Sequence, residues 1–427
     1  MQMLRHTDPS FKKAIARLNR FFQPEAKVRE TVSEILDGIT KQGDRAVAHY
    51  TEKFGGPRLT PAQFKVSEKE MKEAMASLDK KTRSAIQAAK SNVAAFAKKS
   101  LRKTWKMKNG QGVVVGERFD PFSRVGIYIP GGTAPLVSTA VMTCTLAQVA
   151  KVPQIVAVTP ADREGKVHPA LLAALQLCGA TEVYRIGGAQ AIAALAIGTK
   201  AIPSVDKVFG PGNAYVVEAK RQAFGRVAVD LLPGPSEVFI IADSTGNPAW
   251  IASDLLAQAE HGHGSIAILA SDSIALLNKT AQELNRQVAL LNRQAALKES
   301  LKNISFIHVK TLKDAVEIAN DFAPEHLSLA VRNAQKVARQ IRTSGAIFIG
   351  AVSPVVGGDF LAGPSHELPT GGAGKSFAGL TVDQFQRRTS LVEFSKESLR
   401  RSLPAIATFS EIEGLDAHGR SASIRLE

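Results

Sequence analysis

The sequence predicts an α/β protein made of two similar Rossmann-like domains with parallel sheets, with a helical N-terminal segment and a helical C-terminal tail. Three observations predict it. From Arg124 onward, short β-branched apolar runs alternate with helical stretches, the pattern that builds a parallel sheet covered on both faces. A second alternating series begins at Glu237. The chain has 427 residues, too many for one ordinary hydrophobic core.

The elements follow in order. The opening MQMLRHTDPSFKKAIARLNRFF reads as an amphipathic basic helix. It lacks the apolar core and small-residue cleavage site of a signal peptide. No apolar run is long enough to span a bilayer, so the expectation is a cytoplasmic protein without a membrane partner. The first 120 residues read as helical, through RETVSEILDGITKQGDRAVAHYTEKF and EKEMKEAMASLDKKTRSAIQAAKSNVAAFAKKS, with Gly55, Gly56 and Pro57 between them. RVGIYIP then reads as a buried strand that Pro130, Gly131 and Gly132 end. STAVMTCTLAQVAKV reads as the helix after it. Strands QIVAVTP, TEVYRI and DKVFG alternate with helices HPALLAALQLCG, AQAIAALAIGT and NAYVVEAKRQAFG. In the second series EVFIIAD, SIAILAS, ISFIHVK and GAIFIG are strand-like, with helices expected over 249–260, 275–299, 312–320 and 334–343. After Gly350, SPVVGGDFLAGPSHELPTGGAGKS reads as a long Gly- and Pro-rich loop, and such loops inside compact domains are usually functional. A mostly helical tail closes the chain.

Composition narrows the class. Hydrophobic residues make up 44% and charged residues 22%, the profile of a folded chain. Aromatic residues are only 6%, too few for a base-stacking platform. The net charge is +15, with Lys98, Lys99, Arg102, Lys103, Lys106 and Lys108 close together. Such a face attracts polyanions. No helix-turn-helix, zinc-finger or RNA-binding signature accompanies it, so a face that is solvated or meets an acidic surface on another subunit is expected and nucleic acid is not, with a basic nucleic-acid-binding protein on the same fold as the alternative from another class. Cys144 and Cys178 both sit in apolar stretches and read as buried, inert thiols.

Three glycine-rich strand-to-helix turns, IPGGTAP, IGGAQAIAAL and FGPGNAY, lie where a parallel sheet binds ligands. They leave a dinucleotide site and plain punctuation both open, since the G-x-G-x-x-G fingerprint is absent. PTGGAGKS is not a P-loop, because Pro369 stands where the pattern requires glycine.

A scattered polar set carries candidate chemistry. Gln258 and His261 share one helix face, although a histidine there also suits the helix C-terminus. Glu325 and His326 form an adjacent carboxylate–imidazole pair after Pro324. Such a pair can move protons or simply begin an element. Asp359 lies among glycines, either as an inward ligand or as a turn residue. His366 follows it, and His418 stands in the tail. A mixed N/O set suits zinc or another first-row divalent ion.

Together the segments IYIPGGTAPL, IGGAQAIAALAIGT, FGPGNAYVVEAK, GPSEVFIIAD, LLAQAEHG, APEHL, GDFLAGPSHELPTGG and EGLDAH resemble the histidinol dehydrogenase family. The resemblance runs from about residue 20 to 427. It implies a four-electron oxidation of L-histidinol, through L-histidinaldehyde, to L-histidine, with two NAD+ used in turn. It also implies one Zn2+ per subunit on Gln258, His261, Asp359 and His418, with Glu325 and His326 as the acid/base pair. Tyr128, Gln190 and Asn213 would contact NAD. Ser236, His366 and Glu413 would hold substrate, together with His326 and the metal ligands. The family is a homodimer with a swapped tail, so Glu413 and His418 would enter the partner's site. The resemblance implies a domain division of 1–22 as an arm, 23–127 with 237–378 as a discontinuous first α/β domain, 128–236 as the NAD domain, and 379–427 as the tail. His263 and Gly264 depart from the family, which more often has Pro-Asp there. The departure leaves open a relative acting on another small alcohol, such as a sulfonated propanediol. Glu413 favours a cationic amino alcohol over a sulfonate.

Overall fold

The computed structural model describes residues 2–16, 24–131, 135–262, 264–291, 297 and 300–427. Gly132, His263, residues 17–22 of the expected arm and most of 292–299 in the expected 275–299 helix lie outside the described residues.

In chain order the strands are β1 (Gln2–Arg5), β2 (Trp105–Lys108), β3 (Val114–Pro121), β4 (Arg124–Tyr128), β5 (Gln154–Val158), β6 (Glu182–Tyr184), β7 (Lys207–Phe209), β8 (Ala228–Val229), β9 (Glu237–Ala242), β10 (Ile266–Ser271), β11 (Ile304–His308), β12 (His326–Ala330), β13 (Ala346–Ile349) and β14 (Gln386–Glu393). A five-stranded parallel sheet has the order β6-β5-β4-β7-β8. A six-stranded parallel sheet has the order β1-β11-β10-β9-β12-β13. Counted from β4 and from β9, both sheets run 3-2-1-4-5, the doubly wound order with a switch point beside the first strand. The two alternating series are therefore two Rossmann-like units, as the sequence predicts.

Central strands are apolar on both faces because helices cover both sides; every residue of β9 is buried. On one face of the five-stranded sheet, Val32, Ile35 and Ile39 of helix Ala26–Gln42 join Val156, Val158 and Ile192. On the other, Ile86, Val93 and Ala97 of helix Lys80–Ser100 join Val125, Ile127 and Ile155. This packing differs from the expected grouping of 23–127 with 237–378. The early helices share their core with residues 124–229, because their apolar stripes meet the faces of that sheet. Cys144 and Cys178 are fully buried in the same core.

Four further local expectations give way. Residues Gln2–Arg5 form β1 rather than a helix, since the open edge of β11 accepts a parallel strand and Leu4 is buried there. The stretch before Arg124 contains β2 and β3, and the tail begins with β14; these three make an antiparallel sheet, β14-β3-β2. Its pairing partner for β3 lies some 270 residues away in sequence, which no local period reveals. The Gly-rich segment after Gly350 contains the short helix Val355–Phe360. The helix expected over 334–343 stops at Ala338.

Two edges position the site. The carboxyl edge of the five-stranded sheet carries Tyr128 and the turn after Phe209. The amino edge of the six-stranded sheet carries Glu237 and His326, which begin β9 and β12, with His326 opposite Val238 in the register. The segment 361–372 ties the units together. Thr370 Oγ1 accepts the Gly234 N–H at 2.5 Å, and His366 Nε2 lies 3.4 Å from Thr139 Oγ1.

Candidate active site

Glu325 and His326 are both buried, at 7% and 3% exposure. Helix Leu312–Phe322 ends at Ala323 in a left-handed conformation, and Pro324 then turns the chain into β12. Glu325 Oε2 accepts two hydrogen bonds, from Ser236 Oγ at 2.6 Å and from the Glu237 N–H at 2.9 Å. His326 Nδ1 lies 3.0 Å from the Glu237 carbonyl oxygen. A carbonyl only accepts, so Nδ1 carries the proton and Nε2 presents its lone pair in the neutral ring. Nε2 is buried with no hydrogen-bond partner among the described residues, 3.5 Å from Asp359 Oδ1. One residue of β9, Glu237, thus fixes both members of the pair through its backbone.

Asp359 stands on helix Val355–Phe360, which packs against helix Pro248–Ala259. Burial raises the Asp359 carboxyl, but His326, His366 and His261 outweigh it and hold it below its ordinary value. Burial alone lowers an imidazole, yet the Glu325 and Asp359 carboxylates lift His326 to about 9. His366 Nδ1 meets the Asp359 carbonyl at 2.9 Å, and its Nε2 lies 3.3 Å from Glu367 Oε1. Burial opposes protonation of His366, but Glu367 and Asp359 raise it overall. Gln258 stands in the last turn of helix Pro248–Ala259, is 4% exposed, and has a buried amide nitrogen without a partner among the described residues. His261 follows as an exposed residue. The structure therefore gathers Ser236, Glu325, His326, Asp359 and His366, with His261 near enough to act on Asp359. Among the described residues no three His, Cys, Asp or Glu side chains are set to hold a metal ion; the expected ligand set includes an amide and a tail histidine.

Tyr128, Gln190 and Asn213 line one cleft of about 370 Å³ at the switch point of the five-stranded sheet. Tyr128 Oη accepts the Gly188 N–H at 3.1 Å. Asn213 caps helix Ala214–Ala223, its Oδ1 accepting from Tyr215 and Val216. Gln190 sits in the first turn of helix Gly188–Ile197 and is buried.

Glu413 and His418 are not in this gathering. Both are exposed on the tail, whose helices Lys396–Ile412 and Asp416–Ser423 pack against each other. The basic run Lys98, Lys99, Arg102, Lys103, Lys106 and Lys108 is exposed throughout. Sequence reasoning missed Glu237 and Glu367. The carboxylate beside His366 was an available signal for Glu367; Glu237 holds the pair through its backbone N–H and carbonyl and offered none.

A switch-point cleft on one parallel sheet and a buried carboxylate–imidazole pair on the edge of another are features of an α/β enzyme that binds a ligand and moves protons. Comparison with known proteins narrows the class. A family profile described as Histidinol dehydrogenase matches residues 18–426. The chain is 43% identical to histidinol dehydrogenase of Syntrophotalea carbinolica, with 100% of this chain and 99% of that one covered. It is 42% identical to histidinol dehydrogenase of Geobacillus kaustophilus, over 93% and 94% of the two chains. The crystal structure of histidinol dehydrogenase from Elizabethkingia anophelis matches with a TM-score of 0.95 at 35% identity, covering 100% of this chain and 98% of that one. The chain belongs to the histidinol dehydrogenase family.

Proposed function

We propose that this chain oxidises L-histidinol to L-histidine through L-histidinaldehyde, the last steps of histidine biosynthesis, with NAD+ as electron acceptor. The observation that carries the reading is the buried Glu325–His326 pair, whose free Nε2 points at Asp359. His326 takes the alcohol proton at Nε2 while the Glu237 carbonyl holds its tautomer. Glu325, anchored by Ser236 and the Glu237 N–H, activates the water that hydrates the aldehyde. His326 releases the first proton to solvent and then accepts the hydroxyl proton of the hydrated aldehyde. NAD+, contacted by Tyr128, Gln190 and Asn213, supplies the acceptor for both hydrides.

Gln258, His261 and Asp359 would hold one zinc ion, with His418 reaching in from the tail of a second copy. Bound there, zinc supplies orientation of the substrate and stabilisation of alkoxide charge. Two observations support the fit. The Gln258 amide has an unpartnered buried end, and turning that amide presents an oxygen instead. The Glu325 and Asp359 carboxylates together lift His326 to about 9; a cation on Asp359 would oppose that protonation and favour His326 as a neutral base.

Ser236 and His366 would hold substrate from this chain, and Glu413 from the tail. A homodimer with exchanged tails is supported by the apolar side chains the tail exposes, Phe409, Ile412, Leu415 and Ile424, which call for a covering surface. The cytoplasm, with its NAD pool, is the compartment the reading assigns. Counting NADH formed per L-histidinol tests the reaction: two are expected, and one, or none, overturns it.

A further inference from the structure

Beneath the cofactor cleft lies a buried ion pair that the proton chemistry does not use. Lys220, on helix Ala214–Ala223, and Asp230, just after β8, have side chains 0% and 3% exposed. Lys220 Nζ pairs with Asp230 Oδ1 and donates to the Gly210 carbonyl at 2.9 Å. Asp230 Oδ2 accepts the Gly210 N–H at 2.8 Å. Both backbone groups of one glycine are therefore gripped by the two members of one ion pair.

Gly210 occupies the switch point itself. It follows β7, has φ of +107°, and a Cβ there would stand 2.1 Å from the Tyr128 carbonyl oxygen. Only glycine combines that backbone with that approach. Three residues on, Asn213 caps the helix that carries Lys220. Asp230 is tied in turn to β7, its N–H donating to the Val208 carbonyl at 3.1 Å. The ends of β4, β7 and β8 and the start of the helix thus meet at Gly210. Tyr128 and Asn213, which line the cleft, depart from this junction.

Burying two charges carries a large desolvation cost before their attraction returns it. Apolar side chains would join helix and strand as well, and often more stably. They could not satisfy a buried N–H and a buried C=O on the same residue, and buried backbone groups are rarely left unpaired. The chemistry of the pair is thus matched to the conformation of one peptide.

We propose that Lys220 and Asp230 are positioning residues for the cofactor. They lock the Gly210 turn so that Asn213 and Tyr128 meet the dinucleotide in a fixed relation. The inference rests on the reading of the cleft as the NAD site, so the test carries a control for that reading. Lys220→Met keeps the alkyl stem and removes the charge and donor. Lys220→Met/Asp230→Asn removes both charges and leaves no unpaired ion. Lys220→Arg keeps the charge in another geometry. Each is measured as the metal-loaded full chain, with KM for NAD+ and for L-histidinol determined separately and NADH binding followed by fluorescence. Among folded variants, KM for NAD+ and the NADH dissociation constant rise at least tenfold, KM for L-histidinol stays within twofold, and Lys220→Arg falls between wild type and Lys220→Met. Gln190→Ala is the control. If it weakens NADH binding while the folded Lys220 variants bind as wild type does, the positioning role is overturned and the cleft stands. If Gln190→Ala binds NADH normally, the cleft reading falls. Equal rises in both KM values overturn the proposal as general damage, as does loss of folding in all three variants, which makes the pair a stability element.

Discussion

Replacing Glu182 by Gln removes the charge that Arg124 reaches across three strands. Arg124 begins β4; its Nη1 donates to Gln154 on β5 at 2.8 Å and to Glu182 Oε1 on β6 at 2.6 Å, and its Nη2 donates to Glu182 Oε2 at 3.2 Å. Tyr184 Oη adds a 2.6 Å bond to the same carboxylate. The Arg124 hydrogen bonds outweigh burial and, with Tyr184 and Lys65, hold the Glu182 carboxyl at about 2 against an ordinary 4.5. That gap sets a ceiling of about 3 kcal/mol at 1.36 kcal/mol per pH unit. The side chains are 11% and 18% exposed, so solvent screens part of it, and about 2 kcal/mol remains. A unit of this size should lose about 4–8 °C in Tm at pH 7. The folded value lies below the unfolded one, so the stabilisation is complete above about pH 5 and drains away as pH falls toward 2. Urea unfolding of wild type and Glu182→Gln between pH 7 and pH 3.5 measures this. The gap between the two proteins should narrow on acidification, to roughly 60% of its pH 7 size at pH 3.5, while KM for NAD+ stays unchanged, since the pair lies at the end of β4 opposite Tyr128. A gap that is absent at pH 7, or equally large at pH 3.5, would refute the reasoning.

Glu325→Gln keeps an oxygen to accept from Ser236 and Glu237 but cannot activate water, so aldehyde oxidation should fall about 10²–10⁴-fold and alcohol oxidation much less. Single-turnover kinetics begun from each substrate separate the two, and equal losses would contradict the role. His418→Ala should lose zinc and most activity while size-exclusion still shows the oligomer; full zinc retention removes His418 from the ligand set. Burial pushes both the Cys144 and Cys178 thiols up, so a thiol reagent should find neither in the native protein and both after denaturation. Fast native labelling of either would show the core to be open.

The parts of the fold legible in the sequence were those with local causes. β4, β5, β7, β9, β10 and β11 are short apolar runs bounded by Gly, Pro or polar residues, and several helices between them are longer apolar runs buried nearly all round. The small antiparallel sheet was not legible, because VVGERFDP alternates weakly and its partner Gln386–Glu393 belongs to the far end of the chain. β12 was ambiguous for a related reason: HLSLA is too short for its period to separate strand from helix. Of the site, the adjacent Glu325 and His326 could be seen as a pair. That Asp359 joins them depends on helix Val355–Phe360 inside a segment whose glycines imitate a loop. The role of Glu237 is carried by its backbone, which leaves no trace in residue type. The position of His418 is a matter of which surface covers the tail, and one chain's sequence pattern holds no term for it.

The central claim is that the Glu325–His326 pair works beside a metal held by Asp359 and Gln258. Metal analysis of the purified enzyme, run alongside L-histidinol turnover before and after chelation, tests it most directly. The account predicts one zinc per chain, two NADH per L-histidinol, loss of activity when the metal is stripped, and recovery when zinc is returned. Undiminished turnover by protein free of metal would contradict it.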